Sequence, residues 1–190
     1  MNIKFLATGI LLSGMLNIAH ATPVISLDPV TQSVGLGDQV GVNLDISGLS
    51  DGLALGTYDI TLSFNAGVVG YSGIQFGSGL DLFGFGDIQS VTPGAGNVEV
   101  FELSLDTANA LLVFQQHQFT LARLTFDTLS KGFSAFTLSI NAVGDAYGNS
   151  ISTTLQNSGV TVVPEPSALL LLLSGLSGAL FMGRRKPDGR

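Results

Sequence analysis

The feature that most constrains this chain is an alternation of period two running from Val24 to Val163. Val40, Val42, Leu44 and Ile46 alternate with Gly41, Asn43, Asp45 and Ser47. Tyr58, Ile60, Leu62 and Phe64 alternate with Asp59, Thr61, Ser63 and Asn65. Phe101, Leu103 and Leu105 continue the pattern, followed by Ala122, Leu124 and Phe126, then Phe136, Leu138 and Ile140. Successive strand side chains point to opposite faces, so each segment has one apolar and one wet face. That predicts antiparallel sheets stacked as a sandwich. Gly48-Leu49-Ser50-Asp51-Gly52, Pro93-Gly94-Ala95-Gly96-Asn97 and Tyr147-Gly148-Asn149 supply turn chemistry between them. The one helical turn expected in the body covers residues 107–112. Residues 78–86 read as a loop whose Leu82, Phe83 and Phe85 are expected to tuck under it.

The chain has 190 residues, enough for one domain with a sizeable core. It has no cysteine, so packing alone must hold the body together. Charge is sharply partitioned. Residues 22–163 carry twelve Asp and Glu against Arg123 and Lys131, a net −10, while the other five cations lie at the two ends. A body of that charge repels nucleic acid and anionic headgroups, which excludes nucleic-acid binding. Solubility outside the cell is the simpler account of the acidity; a specific cation site is the other.

Little catalytic chemistry is visible. Without His20 of the first segment, His117 is the only histidine, and Cys–His dyads and His-rich zinc sites are excluded. His117 sits in the polar run Gln115-Gln116-His117-Gln118, which has no nucleophile-elbow signature and reads as surface. Asp59, Glu99, Glu102 and Asp106 supply carboxylates of the kind glycoside hydrolysis needs, but their alternation with apolar residues places all four on wet strand faces. Asp145 and Asn149 offer oxygen ligands for Ca²⁺ or the cap of an Asx turn, and the turn is the cheaper reading. Tyr58 belongs to a core face, and Tyr71 and Tyr147 are isolated, so no aromatic strip for sugar stacking is expected. No catalytic residue, metal ligand or cofactor is assigned.

The ends differ from the body. Residues 1–21 have a positive start at Lys4, an apolar stretch and Ala19-His20-Ala21, the order of a secretory signal cleaved after Ala21 by the general export route. Residues 168–182 are fifteen uncharged residues, seven of them Leu. With Ser167 and Gly183 they make roughly 25 Å of helix at 1.5 Å per residue. The hydrocarbon core is about 30 Å thick, so the span is short. Leu and Phe181 favour insertion by about 2–5 kcal/mol, and the two Ser and two Gly reduce that. Arg184, Arg185 and Lys186 act as a topology stop that keeps residues 187–190 in the cytoplasm and the body outside. Before the helix, Pro164 and Pro166 keep a short extended peptide that joins neither helix nor ladder. On physics alone it is either a linker or a peptide that a membrane enzyme reads.

Two resemblances bear on these segments. Val163-Pro164-Glu165-Pro166, one apolar helix and Arg184-Arg185-Lys186, in that order, resemble the PEP-CTERM sorting signal (residues 164–186) of exopolysaccharide-producing bacteria. The resemblance implies that Pro164, Glu165 and Pro166 are recognition residues for exosortase, a membrane-embedded cysteine protease that removes the tail. The body, residues 22–163, is similar to the cohesin domain. The resemblance rests on Val34-Gly35-Leu36-Gly37-Asp38-Gln39-Val40, Gly56-Thr57-Tyr58-Asp59-Ile60-Thr61-Leu62-Ser63-Phe64, Leu121-Ala122-Arg123-Leu124-Thr125-Phe126 and Gly144-Asp145-Ala146-Tyr147-Gly148-Asn149-Ser150-Ile151. It implies an all-β jelly-roll sandwich of about nine strands, related to carbohydrate-binding modules. At Asn65-Ala66 the chain departs from the family's usual Asp-Pro. Together the readings lead to a non-catalytic exported protein, processed at the inner membrane and delivered to the cell surface or exopolysaccharide matrix. The alternative is a binding module for a dockerin-like protein or for polysaccharide.

Overall fold

The computed structural model describes residues 22–164. Ala19, Ala21, Glu165, Pro166, the helix expected over 168–182 and the stop expected at Arg184-Arg185-Lys186 all lie outside the described residues. Eleven strands and one short helix follow in chain order: β1 (Val24–Asp28), β2 (Thr31–Gly35), β3 (Gln39–Ser47), β4 (Leu55–Ser63), β5 (Val69–Phe76), β6 (Asp87–Gly94), β7 (Asn97–Ser104), α1 (Ala108–Phe114), β8 (Phe119–Thr128), β9 (Gly132–Asp145), β10 (Thr154–Gln156) and β11 (Ser158–Val163). They form two sheets, one ordered β10-β1-β3-β8-β5 and the other β2-β11-β9-β4-β7-β6. The all-β sandwich expectation stands at this level.

The strand count rises from about nine to eleven because two segments, one near each end of the described chain, are each split between the two sheets. β1 pairs with β3 in the first sheet, and after Pro29-Val30 β2 pairs with β11 in the second. Asn157 makes the same switch between β10 and β11. Its Oδ1 accepts from the Leu138 N–H at 2.9 Å, which fixes the crossing. These edge segments pair in parallel, β1 with β10 and β2 with β11, so the sandwich is not purely antiparallel.

The core fills the space between the sheets with the inward residues the alternation marks: Val40, Val42, Leu44 and Ile46 from β3, Tyr58, Ile60 and Leu62 from β4, and Leu124 and Phe126 from β8. Burying each large apolar side chain favours folding by about 1.5–3 kcal/mol. Phe126 is the hub, with ring centroids of Phe136, Phe64 and Tyr71 at 4.8, 5.2 and 6.0 Å.

Two strands depart from the sequence pattern. In β9 the inward set is Ser134, Phe136 and Leu138, but Ile140 is exposed and Val143 buried. The register against β4 slips between Asp59 and Ile60, and the extra residue turns the following side chains to the opposite face. In β7 the parity is inverted. Val98, Val100 and Glu102 point inward, and Phe101 and Leu103 outward. The apolar sequence changes phase between Val100 and Phe101, yet the ladders to β4 and β6 run through that point without a slip. Backbone pairing therefore carries Glu102 into the core.

Candidate functional site

The four carboxylates of interest do not meet. Asp59 and Glu99 are half-buried on the outer face of the six-stranded sheet, whereas Glu102 and Asp106 are buried, contrary to the expected wet faces. Glu102 is 1% exposed, and its Oε2 accepts from the Tyr58 hydroxyl at 2.8 Å. Burial, and then the Asp87 carboxyl on β6, push its pKa up to about 8, so it is protonated at neutral pH and puts no full charge in the core. Burial and the neighbouring Glu102 likewise push the Tyr58 hydroxyl upward. Asp106 serves a different end: its Oδ2 accepts from the Leu82 N–H at 2.7 Å and pins the loop that follows β5. These positions are structural, and none presents a pair of carboxylates across an open cleft.

The turn at the end of β9 follows the cheaper of its two expected roles. Asp145 Oδ1 accepts from the N–H groups of Tyr147 and Asn149, each at 2.8 Å. The slight burial of Asp145 works upward on its pKa, but the donors from Asn149, Tyr147 and Gly148 outweigh it and hold the carboxyl below its usual range. His117 is exposed, with Nε2 3.3 Å from Asp51 Oδ1. Among the described residues no three His, Asp or Glu side chains are grouped so as to hold a metal ion. Pro164, the one described residue of the expected recognition peptide, is exposed just beyond β11.

The two outer sheet faces differ in kind. On the five-stranded sheet, polar side chains satisfy one another: Thr120 with Asp45 at 2.6 Å, Gln39 with Asp127 at 2.9 Å and Arg123 with Asn43 at 3.1 Å. The outer face of β9-β4-β7-β6 is mixed. Asn141 donates to Asp59 Oδ1 at 2.9 Å and Thr61 Oγ1 at 3.1 Å, forming a polar centre. Beside it the register brings Ile88 opposite Leu103 and Phe101 opposite Asp59, with Ile88 exposed. Phe133 lies exposed over Gly159, where a Cβ would come within 2.7 Å of its ring.

A third surface closes one end of the sandwich. The 77–86 loop and α1 expose Phe83 (50%), Phe85 (74%) and Phe114 (62%), with Val113 beside them. Phe83 is 5.4 Å from Phe114 and 6.2 Å from Phe85, centroid to centroid. The expectation that this loop tucks its rings inward is therefore wrong for Phe83 and Phe85. Leu80 takes the buried place beneath the loop, and the left-handed Gly84 (φ 72°) and Gly86 (φ 94°) turn the chain back before the rings can enter. Gln115, read from sequence as part of a polar run, is a tie: it accepts from Leu55 N–H at 2.7 Å and donates to the carbonyls of Leu55 and Gly79, each at 2.9 Å. Nothing in the run Gln115-Gln116-His117-Gln118 marks that role in the sequence.

No protein-family model matches this chain, and no curated protein sequence matches it. Solved structures do. The cohesin CaCohA2 from Clostridium acetobutylicum is 22% identical with a TM-score of 0.62, covering 77% of this chain and 94% of that one. The sixth cohesin from the scaffoldin B of Acetivibrio cellulolyticus, solved in complex with a Cel5 dockerin, is 20% identical with a TM-score of 0.62, over 75% and 100%. The non-cellulosomal cohesin from the hyperthermophilic archaeon Archaeoglobus fulgidus is 17% identical with a TM-score of 0.60, over 80% and 98%. The fold of residues 22–164 is thus a cohesin-like β-sandwich.

Proposed function

We propose that this protein is a non-catalytic binding module that docks a protein partner of dockerin type on the outer face of β9-β4-β7-β6. The observation that carries this is the contrast between the two sheet faces. The five-stranded face is polar, its groups already paired with one another, and it offers little apolar area to cover. The six-stranded face sets apolar Ile88, Phe101 and Leu103 beside the Asp59–Asn141–Thr61 centre. An apolar area with a few directional polar groups is the usual make-up of a docking face. The likeness to cohesins solved with dockerins supports the class of partner. The terminal segments would supply delivery: export by the first and sorting by an exosortase-type protease at Pro164, Glu165 and Pro166, ending at the cell surface or in the exopolysaccharide matrix.

Photo-crosslinking residues placed singly at Phe101 and Arg123 sample the two outer faces. A dockerin-type protein crosslinked from position 101 and not from 123 is the expected result, and Asp59→Arg should abolish it. Equal crosslinking from both positions, or retention of polysaccharide alone, would overturn the assignment.

A further inference from the structure

The aromatic tip is a different surface from the sheet face and asks for its own partner. Its rings are held out by an ordered scaffold. Asp81 Oδ1 accepts from Gly86 N–H at 3.0 Å across the loop, Asp106 holds Leu82 N–H, and Gln115 clamps Gly79 to the start of β4. α1 adds no charge: it buries Leu111 and turns Val113 and Phe114 to solvent. Between Phe114 and β8 lies an open cleft of about 340 Å³ lined by Ser78, Leu82, Phe114, Gln116, Phe119 and Thr120, with room for an apolar anchor. A contiguous apolar patch on a built scaffold marks an interaction site.

Charge decides what covers it. Asp51, Asp81, Asp87 and Asp145 all belong to this end of the sandwich, where β4, β6 and β8 begin and β3, β7 and β9 finish. The two cations among the described residues are elsewhere. Lys131 is in the β8–β9 turn at the opposite end, and Arg123 is on the five-stranded face bonded to Asn43. The ring cluster therefore sits inside a one-signed acidic field, with His117 beside Asp51 the only nearby group able to become positive. A second copy would bring the same acidic rim against itself, and an anionic lipid surface would be repelled. We propose that the tip formed by the 77–86 loop and α1 docks a basic, apolar peptide segment, with apolar residues on the phenylalanines and Lys or Arg against the aspartates. This goes beyond the sheet-face reading and does not depend on it.

The test uses the exported protein and an 18-residue peptide of Leu and Lys in helical period, with Glu replacing Lys as control. Micromolar binding is expected for the Lys peptide only, weakened by salt. The amide resonances of Gly84, Gly86 and Phe114 should move while those of Phe133 and Asn141 stay, which separates the tip from the sheet face. Phe83→Ser/Phe85→Ser/Phe114→Ser should weaken binding at least tenfold. Phe85→Ser alone, at the most exposed ring, should weaken it severalfold without touching the fold. Undiminished binding by the variants, movement at the sheet face instead, or equal binding of the Glu peptide overturns the proposal. So does self-association lost in the triple variant, or binding of the tip to lipid vesicles or to a soluble oligosaccharide in place of the peptide.

Discussion

Glu102 shows how a single position can resist sequence reading. Its neighbours alternate correctly, but the phase of the apolar residues changes between Val100 and Phe101, and only the unbroken ladders of β4 and β6 decide which phase is kept. The side chain that loses is the one charged by default. Its partners explain how it is tolerated: Tyr58 donates to it, Asp87 and Gln89 face it from β6, and its pKa rises to about 8 from 4.5. Below about pH 4.5 the folded and unfolded chains both carry the proton. Between that pH and about 8 the unfolded chain loses it and the folded chain keeps it, so stability should fall as pH rises and level off above the folded value. The loss should reach about 2–4 kcal/mol by pH 8. Glu102→Gln keeps an acceptor for Tyr58 without a titrating group, so urea unfolding should show it more stable than the parent at pH 8 and similar near pH 4.5. A parent protein equally stable at pH 5 and pH 8 would contradict the protonated state. The core itself was easier to read. Phe126 lies in an unambiguous alternation and becomes the hub of four rings; Phe126→Ala should cost about 3–5 kcal/mol in the same assay.

At the scale of elements, regular strands were legible and their junctions were not. β3, β4 and β8 follow directly from alternation because the pattern is local. The bulge after Ile140 that brings Val143 inward was not visible, because a slip in register depends on the partner strand. The sheet switches at Pro29 and Asn157 were hidden for the same reason. At the tip, the expected burial of Phe83 and Phe85 fails for a packing reason. Leu80 fills the space, and the loop is held by groups distant in sequence. Gln115 is the clearest of these, since its three bonds join α1 to Leu55 and Gly79. Gln115→Leu should leave Leu55 N–H and two carbonyls without those partners and cost about 2–4 kcal/mol. Amide exchange should speed up at Leu55, whose N–H loses its acceptor, and through the loop, while Phe133 and Asn141 on the sheet face keep their protection. Uniform acceleration across the sandwich would show that the tip is not a separately anchored element.

For the whole molecule, polarity along the strands links the described body to the ends. β11 finishes at Val163 beside Gly35 and Gly132, the end opposite the aromatic tip, and Pro164 continues outward exposed. A chain leaving there toward a membrane would turn the 77–86 loop and α1 away from it, and leave the β9-β4-β7-β6 face accessible from the side. The sandwich was legible from sequence; which end carries the exit was not, since that depends on the order of strands in space. The sorting proposal rests on the resemblance of residues 164–186 to the PEP-CTERM signal. Removing the tail near Pro166 would take away Arg184, Arg185, Lys186 and Arg190, and release a body whose only cations are Arg123 and Lys131. Alanine at Pro164, Glu165 and Pro166 together should leave a membrane-bound protein of full C-terminal mass, because the extended peptide a protease would read is gone while the apolar run and its cationic stop remain. The body should fold unchanged, since Pro164 lies beyond the last residue paired in β11. The parent should yield a shorter, released form by mass measurement of its C-terminus. Equal processing and release of the two proteins would refute recognition through these three residues.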